Sequence, residues 1–280
     1  MNSLRLFSLH FRSFISKQER KRFIFSVLSL SLVVLVLTIG TSFAMDDDDD
    51  DGDEIPFDVV NIFFELNNTD GDLGIHALID GEPWKKLVIE DTRERKILVI
   101  RNKGRLARQG LTELFFESAE PTFDELDPED FFKRFPEGIY EVEGLTSEGQ
   151  EMDGEAEVTH VIPAPPVVFV SGEATPDDCD EGEVPTVSDP PVISWDPVTT
   201  SHPELGSPQN SSDITIVGYQ VVVEREEGIP LKLTFDLAPN ETMVEMPSGL
   251  FSSEDEIKLE VLARESSGNQ TANETCFEIE

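Results

Sequence analysis

From residue 55 onward, apolar side chains recur in short runs, many at every second position, and turn residues separate the runs. That patterning belongs to β-strands with one buried face. Residues 57–66 (FDVVNIFFEL) read as a strand and residues 67–72 (NNTDGD) as a turn. Residues 74–79 predict a second strand closing at Asp80-Gly81, a hairpin dipeptide, and residues 85–90 and 96–101 predict two more, which makes a four-strand meander. Residues 111–117 (LTELFFE) fit strand or helix, because Leu114-Phe115-Phe116 has no decisive period. Asp127-Pro128-Glu129-Asp130 supplies an N-cap, a proline at the first helical position and acids in the first turn, so a short helix should run through Phe131, Phe132 and Phe135 to Pro136. Residues 138–144 and 154–161 alternate again and predict a closing hairpin that carries His160.

Pro163-Ala164-Pro165-Pro166 interrupts the pattern with extended chain unsuited to a central strand. The chain therefore divides into a β-rich domain with one short helix, residues 55–163, and a second domain, residues 164–280. Residues 45–54 (MDDDDDDGDE) form an acidic tether, since like charges without apolar surface extend the chain. Residues 1–44 differ from all of this. Six basic residues, Arg5, Arg12, Lys17, Arg20, Lys21 and Arg22, precede an uncharged run over residues 23–44. As a helix that run is about 33 Å long, enough to cross a bilayer. Gly40 and Ser42-Phe43-Ala44 fit a cleaved signal peptide, while the long lead-in and long run fit an uncleaved anchor. Both place the remainder outside the cytoplasm: secreted, periplasmic or at the cell surface, touching membrane only through residues 23–44 if these are retained.

Charge narrows the partners. The chain carries a formal net charge of −37, and removing residues 1–44 leaves 15 bases against 57 acids. Such a surface repels phosphate backbones and excludes nucleic acid as a natural ligand. Histidines at 10, 76, 160 and 202 stand in no metal or protease spacing, and no nucleophile elbow, P-loop or CxxC pair occurs. No cofactor is called for except, as one reading, calcium. Asn68, Asp70 and Asp72 place oxygens at alternate positions like the opening of a calcium loop, but Leu73 stands where that loop needs glycine and Ile79 where it needs a bidentate glutamate. A plain turn between strands is the competing reading.

The second domain carries a family pattern. Pro165-Pro166-Val167 opens a first strand, and residues 192–198 (VISWDPV) hold Trp195 where a buried tryptophan belongs. Residues 216–224 (IVGYQVVVE) put Tyr219, Val221 and Val223 on one face, residues 231–237 and 242–246 supply two more strands, Pro247-Ser248-Gly249-Leu250 turns, and residues 257–263 (IKLEVLA) and 274–279 complete the set. Residues 164–280 resemble a fibronectin type III domain, a seven-stranded immunoglobulin-like sandwich. The chain departs from that family in two places: Ile257 stands where the family has a tyrosine, and residues 172–189 form a long acidic insertion.

In the family the first and last strands lie on neighbouring edges. A disulfide between Cys179 and Cys276 would thus tie the insertion to the last strand, with two free thiols as the rival reading. A catalytic thiol is disfavoured, because Asp177, Asp178, Asp180 and Glu181 oppose a thiolate. The resemblance implies a mostly β, non-catalytic exported or cell-surface interaction protein that presents loops and edges to an extracellular protein or glycan. Alternatives are an accessory module of an exported hydrolytic system, which such domains often accompany, and an enzyme with an acidic site in residues 55–163.

Overall fold

The computed structural model describes residues 54–176, 179, 182–225, 230–253 and 256–280. The expected export helix over residues 1–44, and all of the acidic tether but Glu54, lie outside the described residues. Among the described residues no helix is long and apolar enough to cross a membrane.

The first domain comprises β1 (Ile55–Pro56), β2 (Val59–Asn67), β3 (Asp72–Glu90), β4 (Lys96–Arg101), α1 (Leu106–Gln109), β5 (Leu111–Glu117), α2 (Pro128–Arg134), β6 (Gly138–Thr146) and β7 (Glu151–Val158). Alternation decides which side chains go inward: Ile62, Phe64 and Leu66 of β2 and Leu73, Ile75, Ala77 and Ile79 of β3 join one core with Trp84, Leu87, Ile89, Tyr140 and Val142. Residues 111–117, ambiguous in sequence, are a strand. α2 forms where its signals lie, with the Asp127 side chain accepting from the Glu129 N–H at 2.8 Å and Phe131 packed edge-on against Phe64 at 5.4 Å.

The meander expectation fails at Asp80-Gly81. No hairpin forms there, and β3 continues for 19 residues. Its first half, residues 72–80, lies between β2 and β5, and its second half, from Trp84 to Glu90, lies between β6 and β4. The register shifts between Asp80 and Trp84, a bulge at which one strand passes from one pair of neighbours to another. Gly81 serves packing instead of turning: a Cβ there would sit 3.0 Å from Met152 Cε and from Phe57 Cδ1. β4 and β5 follow one another along the same edge of β3, interrupted by residues 102–110, where the Asn102 side-chain amide donates to the Trp84 carbonyl at 2.8 Å.

The second domain contains β8 (Val168–Val170), β9 (Glu173–Ala174), β10 (Thr186–Val187), β11 (Val192–Trp195), β12 (Ile216–Arg225), β13 (Leu231–Leu237), β14 (Met243–Glu245), β15 (Glu256–Glu265) and β16 (Gln270–Ile279). One sheet runs β14-β11-β8-β9, and the other contains β16-β15-β12-β13. Between them lie Val170, Ile193, Trp195, Tyr219, Val221, Val223, Leu259, Val261 and Phe277. Ile257 is fully enclosed in this core, so apolar packing fills the place of the family's tyrosine. Tyr219 sits 5.3 Å from Trp195, and its hydroxyl accepts from the Val198 N–H at 2.9 Å. Cys179 and Cys276 are joined by a disulfide with Cα atoms 5.9 Å apart.

The two domains, distinguished by their separate cores, belong to one compact unit. β16 pairs in parallel with β2 through Gln270↔Glu65, Thr271↔Leu66 and Ala272↔Asn67, so β5-β3-β2 and β16-β15-β12-β13 form one extended sheet.

Candidate functional site at the domain seam

Parallel pairing over three residues leaves much of the junction to side chains, and these come from both domains. Asn269, 1% exposed at the tip of the β15–β16 hairpin, accepts from the Phe64 N–H at 2.8 Å and donates to the carbonyls of Thr159 and Val161, each at 2.9 Å. A buried carboxamide with its donors and acceptor engaged costs little, whereas the same group unpaired would be expensive. Thr271 donates to the Pro163 carbonyl at 2.7 Å, and the loop after β11 closes over the other side of the linker through the His202 N–H to Ile162 carbonyl bond at 2.7 Å. The proline-rich stretch, read from sequence as a boundary, is held on both sides.

The turn at residues 67–72 also serves the seam. Asn67 Oδ1 accepts from the Thr69 N–H and Asp70 N–H at 3.0 and 3.2 Å, while its amide donates to Glu274 at 2.7 Å. The structure separates the tasks of the three residues considered for calcium. Asn68 bonds Asn273 and His202, Asp70 is exposed, and Asp72 is buried at the start of β3 with a bridge to Thr122. His202 is structural: Nδ1 accepts from the N–H groups of Glu204 and Leu205, which leaves Nε2 to donate to Asn68. Burial holds its pKa down despite nearby Glu204. His160 lies just past β7 and not on it, with its ring 4.4 Å from Phe132 and Nε2 2.8 Å from the Phe135 carbonyl.

His76, for which the sequence offered no role, is the histidine with chemistry around it. It points away from the first core, on the outer face of the shared sheet, and is 3% exposed. Nε2 lies 3.0 Å from Glu120 Oε1 and Nδ1 lies 4.0 Å from Glu65 Oε2. Phe63 and Phe115 wall the ring at 5.3 and 6.3 Å. Burial pushes its pKa down, but the Glu120 hydrogen bond and the charges of Glu65, Glu120 and Glu117 outweigh that and raise it. Burial, then Glu120 and Glu65, raise the pKa of Glu117. Across the seam on β15 and β16, burial comes first again in raising Glu260 and Glu274. Glu260 also feels Glu65 and Glu274, and Glu274 also feels Asp70.

These acids come from residues 65, 117, 120, 260 and 274, and no linear spacing announces them. Residues 65 and 76 leave their strands on the face opposite the core, and their adjacency depends on the Phe63↔His76 and Glu65↔Gly74 register.

A shallow cleft of about 250 Å³ lies elsewhere on the seam, lined by Val60, Asn61, Ile62, Glu155, Ala156, Glu157, Ser266 and Ser267. It takes carboxylates from β7 of the first domain and hydroxyls from the β15–β16 turn of the second.

The two sheets of the second domain hold their strands in the arrangement that the family resemblance implied. It is a fibronectin type III-like sandwich. No family model matches the chain, and no curated protein does. Among solved structures the chain is similar to the FN1–FN3 domains of chicken CNTN1, with 12% identity and a TM-score of 0.33 over 80% of this chain and 65% of that one. It is also similar to a two-domain fibronectin type III segment of chicken tenascin, with 7% identity and a TM-score of 0.28 over 79% of this chain and 98% of that one.

Proposed function

We propose that this chain is an exported, non-catalytic interaction protein that binds an extracellular protein or glycan at the seam between its two β domains. The observation that supports this reading is the cleft built jointly by Asn61, Glu155 and Glu157 from one domain and Ser266 and Ser267 from the other. Carboxylates, a carboxamide and hydroxyls in an open, shallow surface suit hydrogen bonding to sugar hydroxyls or to basic and amide groups of a polypeptide. The linker clamp around Asn269 holds the two halves of that surface in one geometry, which lowers the ordering cost of binding. The imidazole–carboxylate group at His76 lies outside the cleft, and its ring is buried beneath Phe63 and Phe115.

The test uses the full-length chain in mild detergent, probed against glycan arrays and against cell-envelope protein. Saturable binding that is lost in Glu155→Lys/Glu157→Lys and kept in an exposed control such as Glu113→Lys supports the reading. Turnover of any substrate by the same preparation, abolished by substitution of His76 or Glu120, would replace it with an enzyme of acidic site.

A further inference from the structure

Beyond the cleft and independent of what it binds, we propose that Glu65, His76 and Glu120 form a site for one divalent transition-metal ion of the zinc class, which pins the first domain beside the seam. One ligand atom from each residue lies within 4.8 Å of the others. Zinc bonds to imidazole nitrogen and carboxylate oxygen are about 2.0–2.2 Å, so ligands of one tetrahedral ion stand roughly 3.4 Å apart. The existing spacing of 3.0 Å between His76 Nε2 and Glu120 is already at that scale; Glu65 stands 4.0 Å from the other ring nitrogen, Nδ1, so its carboxylate swings toward the nitrogen that Glu120 faces to join the same ion.

Three features show that the group is built into the fold. His76 is almost wholly buried, yet it sits on the outer face of the sheet with its nitrogens toward carboxylates. Glu120 reaches it only because residue 74 is glycine: a Cβ there would come within 2.5 Å of Glu120 Oε1. Glu65 is oriented by the side-chain amide of Gln270, itself buried on β16, in the manner of the outer partners that orient metal ligands. Imidazole with two carboxylates suits zinc, cobalt or manganese, whereas calcium prefers an all-oxygen shell. The three ligands come from β2, β3 and the segment after β5, leaving a fourth position for water.

The experiment takes the full-length chain in mild detergent, strips it with chelator, and titrates Zn²⁺ and Co²⁺ by calorimetry and visible absorption in excess Mg²⁺, which occupies the surface carboxylates. The expected result is one tight equivalent, with Co²⁺ giving the strong ligand-field bands of a low-coordinate nitrogen–oxygen site. Affinity should fall by at least about tenfold in Glu120→Gln and the tight equivalent should vanish in His76→Gln, with Glu113→Gln unchanged. Circular dichroism monitors folding, and Glu120→Gln, on a partly exposed segment, keeps the test valid if His76→Gln misfolds. No tight equivalent above the weak background, or one that survives both substitutions, overturns the proposal and leaves the triad as an ion pair held by a proton.

Discussion

The two domains write the same alternating pattern and use it differently. In the second, β11, β12, β13, β14 and β15 each serve a single sheet, with Trp195 and Tyr219 closing the core between layers. In the first, β3 runs 19 residues past a hairpin dipeptide and exchanges both neighbours on the way. Period-two alternation specifies which face of a strand is buried, and it is silent about which strand lies alongside. A turn signal takes effect only when the segments flanking it pack on one another. At Asp80-Gly81 the flanks pack instead on β2 and β5 before it and on β6 and β4 after it.

The largest test of that contrast is a pair of core truncations. Trp84→Ala and Trp195→Ala should each cost about 3–5 kcal/mol, one in each domain. Because β2 and β16 share a sheet, calorimetry should show a single transition that both variants lower; two peaks, of which each variant moves only one, would dissolve the picture of fused domains. Next comes Cys276→Ser. The disulfide closes a 97-residue separation and should contribute about 2–4 kcal/mol. Its loss belongs to the second domain, so the denaturation midpoint of the parent chain should fall in reductant to that of the variant and stay above it without reductant. Equal midpoints in both conditions would mean the crosslink constrains nothing that folding needs.

Asn269→Ala addresses the seam alone. It leaves the Phe64 N–H and two linker carbonyls without their partner and should cost about 1–3 kcal/mol. A more telling readout is cooperativity, with the single transition expected to broaden or split. A sharp transition at unchanged temperature would show that strand pairing alone couples the domains.

The smallest effect is pH dependence, and here two parts of the seam have opposite sign. Glu260 and Glu274 bind protons more tightly folded than unfolded, because their pKa values lie above the ordinary 4.5. Their contribution to stability therefore rises as pH falls through the raised values and levels off below 4.5. His202, held below 6.5, does the reverse: acidification charges it in the unfolded chain first, so its contribution falls as pH drops beneath 6.5. Melting curves on mild acidification should show Glu260→Gln losing the acid-side gain of the parent chain. Parallel curves for the two proteins would count against the crowded carboxylate face.

Much of the fold was legible because local physics dominates there. The Asp127-Pro128 start of α2, the alternating strands around Trp195 and Tyr219, and the turn chemistry of residues 67–72 depend on neighbours within a few positions. The candidate sites were not legible for a matching reason. His76 stands 44 residues from Glu120, and Glu65 stands 205 residues from its hydrogen-bond partner Gln270. Asn269, in a sequence stretch that reads as an ordinary polar turn, is the buried clamp of the linker.

By itself, then, the sequence determined the alternating strands, the short helix and the acidic charge, which follow from periodicity, capping and composition, while its resemblance to fibronectin type III domains implied the sandwich-like second half. Tertiary structure alone decided that β3 bypasses its turn signal, that β2 joins β16 in parallel, and that His76 meets two carboxylates. Those outcomes are choices among partners of equal local quality, and the backbone pairing and core packing of the whole chain make the choice.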